Sequence, residues 1–183
     1  MSPRSRSFPA VVGVLVALLI VLALAMGLTL RHPASPTRQT TATTRPTNPD
    51  PALTPVEVVT AILAALKNND PATDDGLRTT FRFASPGNQA GTGPVDRFVA
   101  MVKKSPYDAL INHRAARIKP IDMDDQRAVC LVRVVARDGR GVFFLWNLSK
   151  QTAAAGPYHD CWMTDGVSPI EPPPGEEPTE ERI

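Results

Sequence analysis

Three short stretches of the sequence hold the residue types that do chemistry. His159-Asp160-Cys161 sets an imidazole, a carboxylate and a thiol side by side, the parts of a cysteine nucleophile with its base and orienting acid. Such a set works only where the three side chains meet. On an extended strand, His159 and Cys161 share a face about 6.6 Å apart while Asp160 points away. The same residues also read as a solvent-side histidine next to a core cysteine and Trp162. A second set is His113, Arg114 and Arg117, with Asp122 or Asp124. Converging, they would line a polar pocket for an anionic ligand; otherwise they are solvated charges at a strand end. The third stretch is Ser85-Pro86-Gly87-Asn88-Gln89. Its backbone N–H groups and two amides can hold a ligand from a loop, or simply reverse the chain with help from glycines 87, 91 and 93.

Other chemistries find less support. Two cysteines and three histidines do not form a zinc spacing, and Asp122, Asp124 and Asp125 lack the loop spacing of a calcium site. No cofactor is expected. Cys130 and Cys161 fall on strands separated by a third. Neighbouring strands lie about 4.8 Å apart, so the gap of about 10 Å exceeds the roughly 7 Å that a disulfide spans. Both are read as buried free thiols. Asn147-Leu148-Ser149 is a glycosylation sequon placed mid-strand, which favours a structural role. Basic residues are not interleaved with aromatics, so no nucleic-acid partner is expected.

Those residues need elements to position them. Thr54-Pro55-Val56-Glu57 predicts a helix start: Thr54 caps, Pro55 suits the first turn and Glu57 completes a capping box. Val59, Ile62, Leu63 and Leu66 then follow helical spacing, up to Asn68-Asn69-Asp70-Pro71. A second helix is predicted from Asp74 or Asp75, with Leu77, Thr80, Phe81 and Ala84 inward, stopping at Ser85-Pro86-Gly87. A third starts near Pro94 and buries Phe98, Met101 and Val102; a last short turn begins at Ser105-Pro106-Tyr107-Asp108. After Asn112 the pattern turns to strands: 114–121, 128–136, 141–148 and 158–164. Asp138-Gly139 marks a two-residue hairpin that sets Val135 opposite Val142 and Val132 opposite Leu145. Helices followed by an antiparallel meander make an α+β domain. Both central strands are apolar on both faces, so one face should meet the helices and the other a concavity or an interface.

The flanks differ in kind. Residues 8–30 carry no charge, and as a helix would reach about 34 Å, enough for a hydrocarbon core of about 30 Å. Arg4 and Arg6 precede this run and predict a cytoplasmic N-terminus. The expectation is a transmembrane anchor over 1–30 with the domain outside the cytoplasm, periplasmic or extracellular. Ala23-Leu24-Ala25 keeps a cleaved signal peptide as the alternative. Residues 31–53, rich in Pro and Thr, read as a disordered linker reaching at most about 70 Å, and 170–183 as a disordered Pro/Glu tail. The domain then covers 54–169. Basic residues outnumber acidic ones five to one before Thr54 and fourteen to twelve within the domain, and trail one to five after Pro169.

The run from Asp75 to Gln89, with its Phe-Ala-Ser-Pro-Gly-Asn-Gln core, continues to Phe98-Val99-Ala100-Met101-Val102 and Tyr107. With the closing Cys161-Trp162-Met163-Thr164-Asp165-Gly166-Val167, it resembles the bacterial family called domain of unknown function 4864, over roughly 56–168. The resemblance implies an NTF2-like cone, N-terminal helices cupped by a curved antiparallel sheet. It brings no activity and no catalytic residues. NTF2-like enzymes often use a His–Asp pair in the cone for proton transfer, which makes His113 the catalytic candidate. Ser85, Asn88, Gln89 and Arg114 are the weak ligand-binding ones. The functional expectation is a membrane-tethered extracytoplasmic binding or scaffold module, possible as a homodimer or with an envelope protein partner. The alternative is a small-molecule binder or acid/base enzyme with a polar pocket.

Overall fold

Thr54 and Glu57 hold each other where the first helix begins. The Glu57 N–H donates to Thr54 Oγ1 at 3.3 Å and the Thr54 N–H donates to Glu57 Oε2 at 2.8 Å, a complete capping box with Pro55 in the first turn. The Thr54 N–H, and then its hydroxyl donating to the same Oε2 at 2.7 Å, hold the Glu57 carboxyl below its usual range. The computed structural model describes residues 45–153 and 156–174. Within them α1 spans Pro55–Lys67 and buries Val58, Val59, Ile62, Leu63 and Leu66. Helix α2 is Asp75–Arg82, α3 Pro86–Thr92 and α4 Val95–Val102, and a 3₁₀ turn covers Tyr107–Leu110. A Cβ at Gly76 would collide with the Ala65 carbonyl oxygen, so the start of α2 lies directly against the backbone of α1.

Four antiparallel strands follow in the order β1 (Ala115–Met123), β2 (Arg127–Val135), β3 (Gly141–Lys150) and β4 (Trp162–Ile170). The fold is α+β, with the helices against one sheet face. Ala128, Cys130, Val132 and Val134 of β2 and Phe144, Trp146 and Leu148 of β3 join the helices' apolar stripes in one core. On the opposite face Leu131, Phe143 and Met163 are also buried, and the Arg133 guanidinium lies 5.9 Å from the Phe143 ring centre. Two bulges interrupt the ladders, at Ile121 in β1 and at Asp165 in β4. An unpaired residue of this kind re-aims the side chains beyond it.

Three sequence expectations need correction. The stretch 85–93 is not a loop: Ser85 Oγ accepts from the Asn88 N–H and caps α3, while Gly93 ends it at φ 84°. Proline after Ser85 stops α2 and at the same time suits the first turn of a new helix. The hairpin pairs Val134 with Val142 and Val132 with Phe144, one residue away from the predicted register. Gly139 sits at φ 95° and its N–H donates to the Ala136 carbonyl at 3.0 Å, while the Ala136 N–H donates to Arg140 O at 2.8 Å. That is a three-residue loop with a glycine bulge. Finally, 158–161 form a turn with Asp160 at φ 61°, and β4 starts at Trp162 and runs to Ile170.

Part of the presumed linker is held to the domain. Arg82 Nε donates to the Thr47 carbonyl at 3.0 Å, and Leu53 packs against the core. The predicted span over 8–30 lies outside the described residues, as do 31–44 and the tail from 175. Among the described residues no helix is long and apolar enough to cross a membrane.

Candidate functional site

The bulge at Asp165 decides which way the end of β4 faces. Thr164 pairs with Leu148 and Val167 with Trp146, so two residues three apart both face the helices. Thr164 then becomes a junction. Its N–H donates to the Phe83 carbonyl and its carbonyl accepts from the Ser85 N–H, both at 2.8 Å, fixing Phe83–Ser85 along the free edge of β4. The same carbonyl accepts from Asn88 Nδ2 at 3.0 Å, and its Oγ1 accepts from Trp146 Nε1 at 3.0 Å. Gln89 Nε2 donates to the carbonyls of Phe81 and Ala84 at 3.1 and 2.9 Å, tying α3 to the end of α2.

Between these anchored helices and the sheet a cavity of about 230 Å³ remains. Leu66, Phe98, Val102, Leu110 and Trp146 form its buried apolar wall. Met101, expected inward but 36% exposed, and the half-buried Asn88, Thr92 and Val167 stand nearer solvent. Its polar side chains are Thr80, Asn88, Thr92, Tyr107 and Thr164, and no charged side chain among the described residues lines it. Tyr107 Oη donates to the Val167 carbonyl at 3.1 Å, and its ring stacks on Phe144 at 6.1 Å between centres. The space is thus apolar in body and dotted with neutral hydroxyl and amide groups.

A family model described as a domain of unknown function (DUF4864) matches residues 50–172. The chain belongs to this family. Searches of curated proteins and of solved structures find no match.

The DUF4864 domain brings together only some of the residues marked in the sequence. Asn88 lines the cavity, whereas Ser85 and Gln89 serve as a helix cap and a tie between helices. His113 is 4% exposed and is not a wall residue. Its Nδ1 lies 2.9 Å from the carbonyl of Leu110. Burial, foremost, together with the Lys67 charge, pushes its pKa below the usual histidine value, against the opposing pull of the Leu110 carbonyl. The polar pocket around it does not assemble. Arg114 Nε donates to the Arg137 carbonyl at 3.0 Å, Arg117 is exposed on β1, and Asp122 and Asp124 lie at the far end of that strand. Asp124 Oδ1 accepts from the Gln126 and Arg127 N–H groups, both at 2.7 Å, which lowers its pKa.

The His159-Asp160-Cys161 set does not form a triad either. His159 Nε2 lies 3.4 Å from Asp160 Oδ2, with both side chains about half exposed. Cys161 is buried, and desolvation pushes its thiol pKa up, as it does for Cys130. Both cysteines are unpaired, and a buried thiol held in its neutral form is a poor nucleophile. Among the described residues no three His, Cys, Asp or Glu side chains group as metal ligands. The residues that sequence reasoning passed over are Thr80, Thr92, Tyr107 and Thr164. Their one legible signal is a hydroxyl set among apolar positions.

Proposed function

We propose that this DUF4864 chain is a membrane-tethered, extracytoplasmic binding module with an NTF2-like cone, and that the cavity between helices and sheet is its binding site. The observation that carries the binding role is an apolar cavity of about 230 Å³ between the helices and the sheet, dotted with neutral hydroxyl and amide groups. Without a ligand its apolar wall stays in contact with water, at a cost that grows with the apolar area left unburied. A small molecule seated there offsets that cost. The tether rests on the uncharged apolar run 8–30 behind Arg4 and Arg6. The acid/base reading has less support, since the wall carries no carboxylate or imidazole among the described residues and His113 is committed elsewhere. A partner added along the β1 edge is disfavoured by Lys119, Pro120 and the bulge at Ile121, which are the devices that keep edge strands unpaired.

A thermal-shift screen of the full-length protein against small molecules tests the binding role. Compounds that raise the melting temperature of wild type should leave Val102→Phe unmoved, because the larger ring occupies the cavity, and should still act on His113→Ala. A shift lost in His113→Ala but kept in Val102→Phe would move the site away from the cavity. A topology reporter fused after Ile183 tests the tether, and a signal from the cytoplasm would overturn it.

A further inference from the structure

The hydrogen-bonding valences on the cavity wall select a class of ligand, an inference that rests on the cavity being the binding site. Three of the wall hydroxyls have their protons engaged. Thr80 Oγ1 donates to the Gly76 carbonyl at 2.9 Å, Thr92 Oγ1 to the Asn88 carbonyl at 2.8 Å and Tyr107 Oη to the Val167 carbonyl at 3.1 Å. Asn88 Nδ2 gives one of its two N–H groups to the Thr164 carbonyl and keeps the other. The three hydroxyl oxygens and the Asn88 Oδ1 keep acceptor capacity. Thr164 is the reverse case. Its Oγ1 accepts from Trp146 Nε1, which leaves its own proton to donate. Asn88, whose amide is bonded to the Thr164 backbone, lines the same cavity.

Two available donors, the Thr164 hydroxyl and the second Asn88 N–H, among several acceptors match a group that accepts up to twice and donates once, which is a hydroxyl. Charge is disfavoured, because an ammonium or carboxylate would be buried against an apolar wall that offers it no counter-ion. Size narrows the class further. A cavity of about 150 Å³ takes benzene, so about 230 Å³ takes about nine heavy atoms at the same filling. We infer that the cavity binds a small neutral alcohol or phenol of about that size, its hydroxyl held between Thr164 Oγ1 and Asn88 Oδ1 and its hydrocarbon body against Leu66, Val102 and Trp146. Thr164 is then the specificity-determining residue.

Titration calorimetry on the full-length chain in lipid nanodiscs, with empty nanodiscs as blank, tests this. The probes are 4-ethylphenol and 2-cyclohexylethanol, 4-ethyltoluene as the hydroxyl-free analogue, and benzoate as the anionic one. The expected result is that a hydroxyl probe binds about tenfold more tightly than 4-ethyltoluene, and that benzoate does not bind. The better of the two hydroxyl probes says whether the body is aromatic or alicyclic. Thr164→Val should erase the preference for hydroxyl and Thr164→Ser should keep it. Equal binding of 4-ethyltoluene, a preference that survives in Thr164→Val, or tighter binding of benzoate would overturn the ligand class while leaving the site in place, provided that Val102→Phe abolishes binding. Failure of every probe on wild type is the outcome that removes the cavity's binding role itself. So is undiminished binding in both Val102→Phe and Met101→Trp, the second of which blocks the cavity from an exposed position that the fold tolerates.

Discussion

The junction of α1 with β1 and the cavity beside β4 treat polar groups in opposite ways. At the junction, Asn112 sits at φ 51° and gathers the end of α1: its N–H donates to the Leu66 carbonyl, and its Nδ2 donates to the carbonyls of Lys67 and Asn69. Asn69, also buried, accepts from the Leu77 N–H. A helix end leaves its last carbonyls without partners, and here the backbone and side chain of Asn112 satisfy those of Leu66, Lys67 and Asn69. Packing around them is tight enough that only glycine fits at position 76. Beside β4, hydrogen bonds of the same kind fix Thr164, Asn88 and Tyr107, yet they leave lone pairs, one hydroxyl proton and a volume the side chains do not fill. The lesson is that a buried polar residue marks a site only where spare valence and spare space coincide. Among the described residues, His113, the more conspicuous residue in the sequence, has neither a carboxylate bonded to it nor a place on the cavity wall.

Two identical substitutions in the two regions give the largest contrast. Val59→Phe forces extra volume into the packed face of α1 and should destabilise by about 1–3 kcal/mol. Val102→Phe places the same extra atoms in the cavity and should stabilise by about 1 kcal/mol. Thermal unfolding of the two variants checks the signs. Equal losses would mean that the cavity is not a space the core can fill, and the comparison would break there.

Much of the fold was legible because its signals are local. Thr54, Pro55 and Glu57 bond to one another within one turn, so residue identity is enough to place the start of α1. The hairpin was less determinate: Asp-Gly fits both a two-residue loop and the third position of a bulged one. Choosing between them shifts register by one and exchanges the faces of a whole strand. Ser85-Pro86 carries a similar ambiguity, since it ends one helix and starts the next with the same proline. The cavity was not legible at all. Its wall comes from α1, α2, α3, α4, the 3₁₀ turn, β3 and β4, and each apolar member looks like an ordinary core residue. Nothing in the residue types says that together they fall short of filling the space.

Helix caps sharpen the contrast at smaller cost. Thr54→Ala and Ser85→Ala each remove a side-chain acceptor at a helix start and should each destabilise by about 1 kcal/mol. Their effects on binding should part. Thr54 caps α1 away from the cavity, so its variant should keep the wild-type response to 4-ethylphenol. Ser85 holds the first turn of α3, and with it Asn88, so its variant should bind more weakly. Chemical denaturation measures the first effect and calorimetry the second. A binding loss in Thr54→Ala as large as in Ser85→Ala would show that the two regions are not separable.

The smallest effect near neutrality concerns His113 and the pH dependence of stability. Its folded-state pKa lies below the unfolded value, chiefly because burial disfavours the charged ring. Between those two values the unfolded chain binds the proton more readily than the folded one, so stability rises with pH across that window. Its contribution is complete above the unfolded value, about 6.5, and is lost as pH falls towards the folded one. In the neutral form Nδ1 donates to the Leu110 carbonyl, which keeps the ring in place while uncharged. Denaturant midpoints measured from pH 7.5 down to pH 5 should therefore fall for wild type and fall less steeply for His113→Asn, which cannot take up the proton. The cavity has no such group among its described wall residues, so hydroxyl-probe affinity should stay flat wherever the domain remains folded. Affinity that followed the His113 titration would tie the two regions together, and the junction could no longer be read as purely structural.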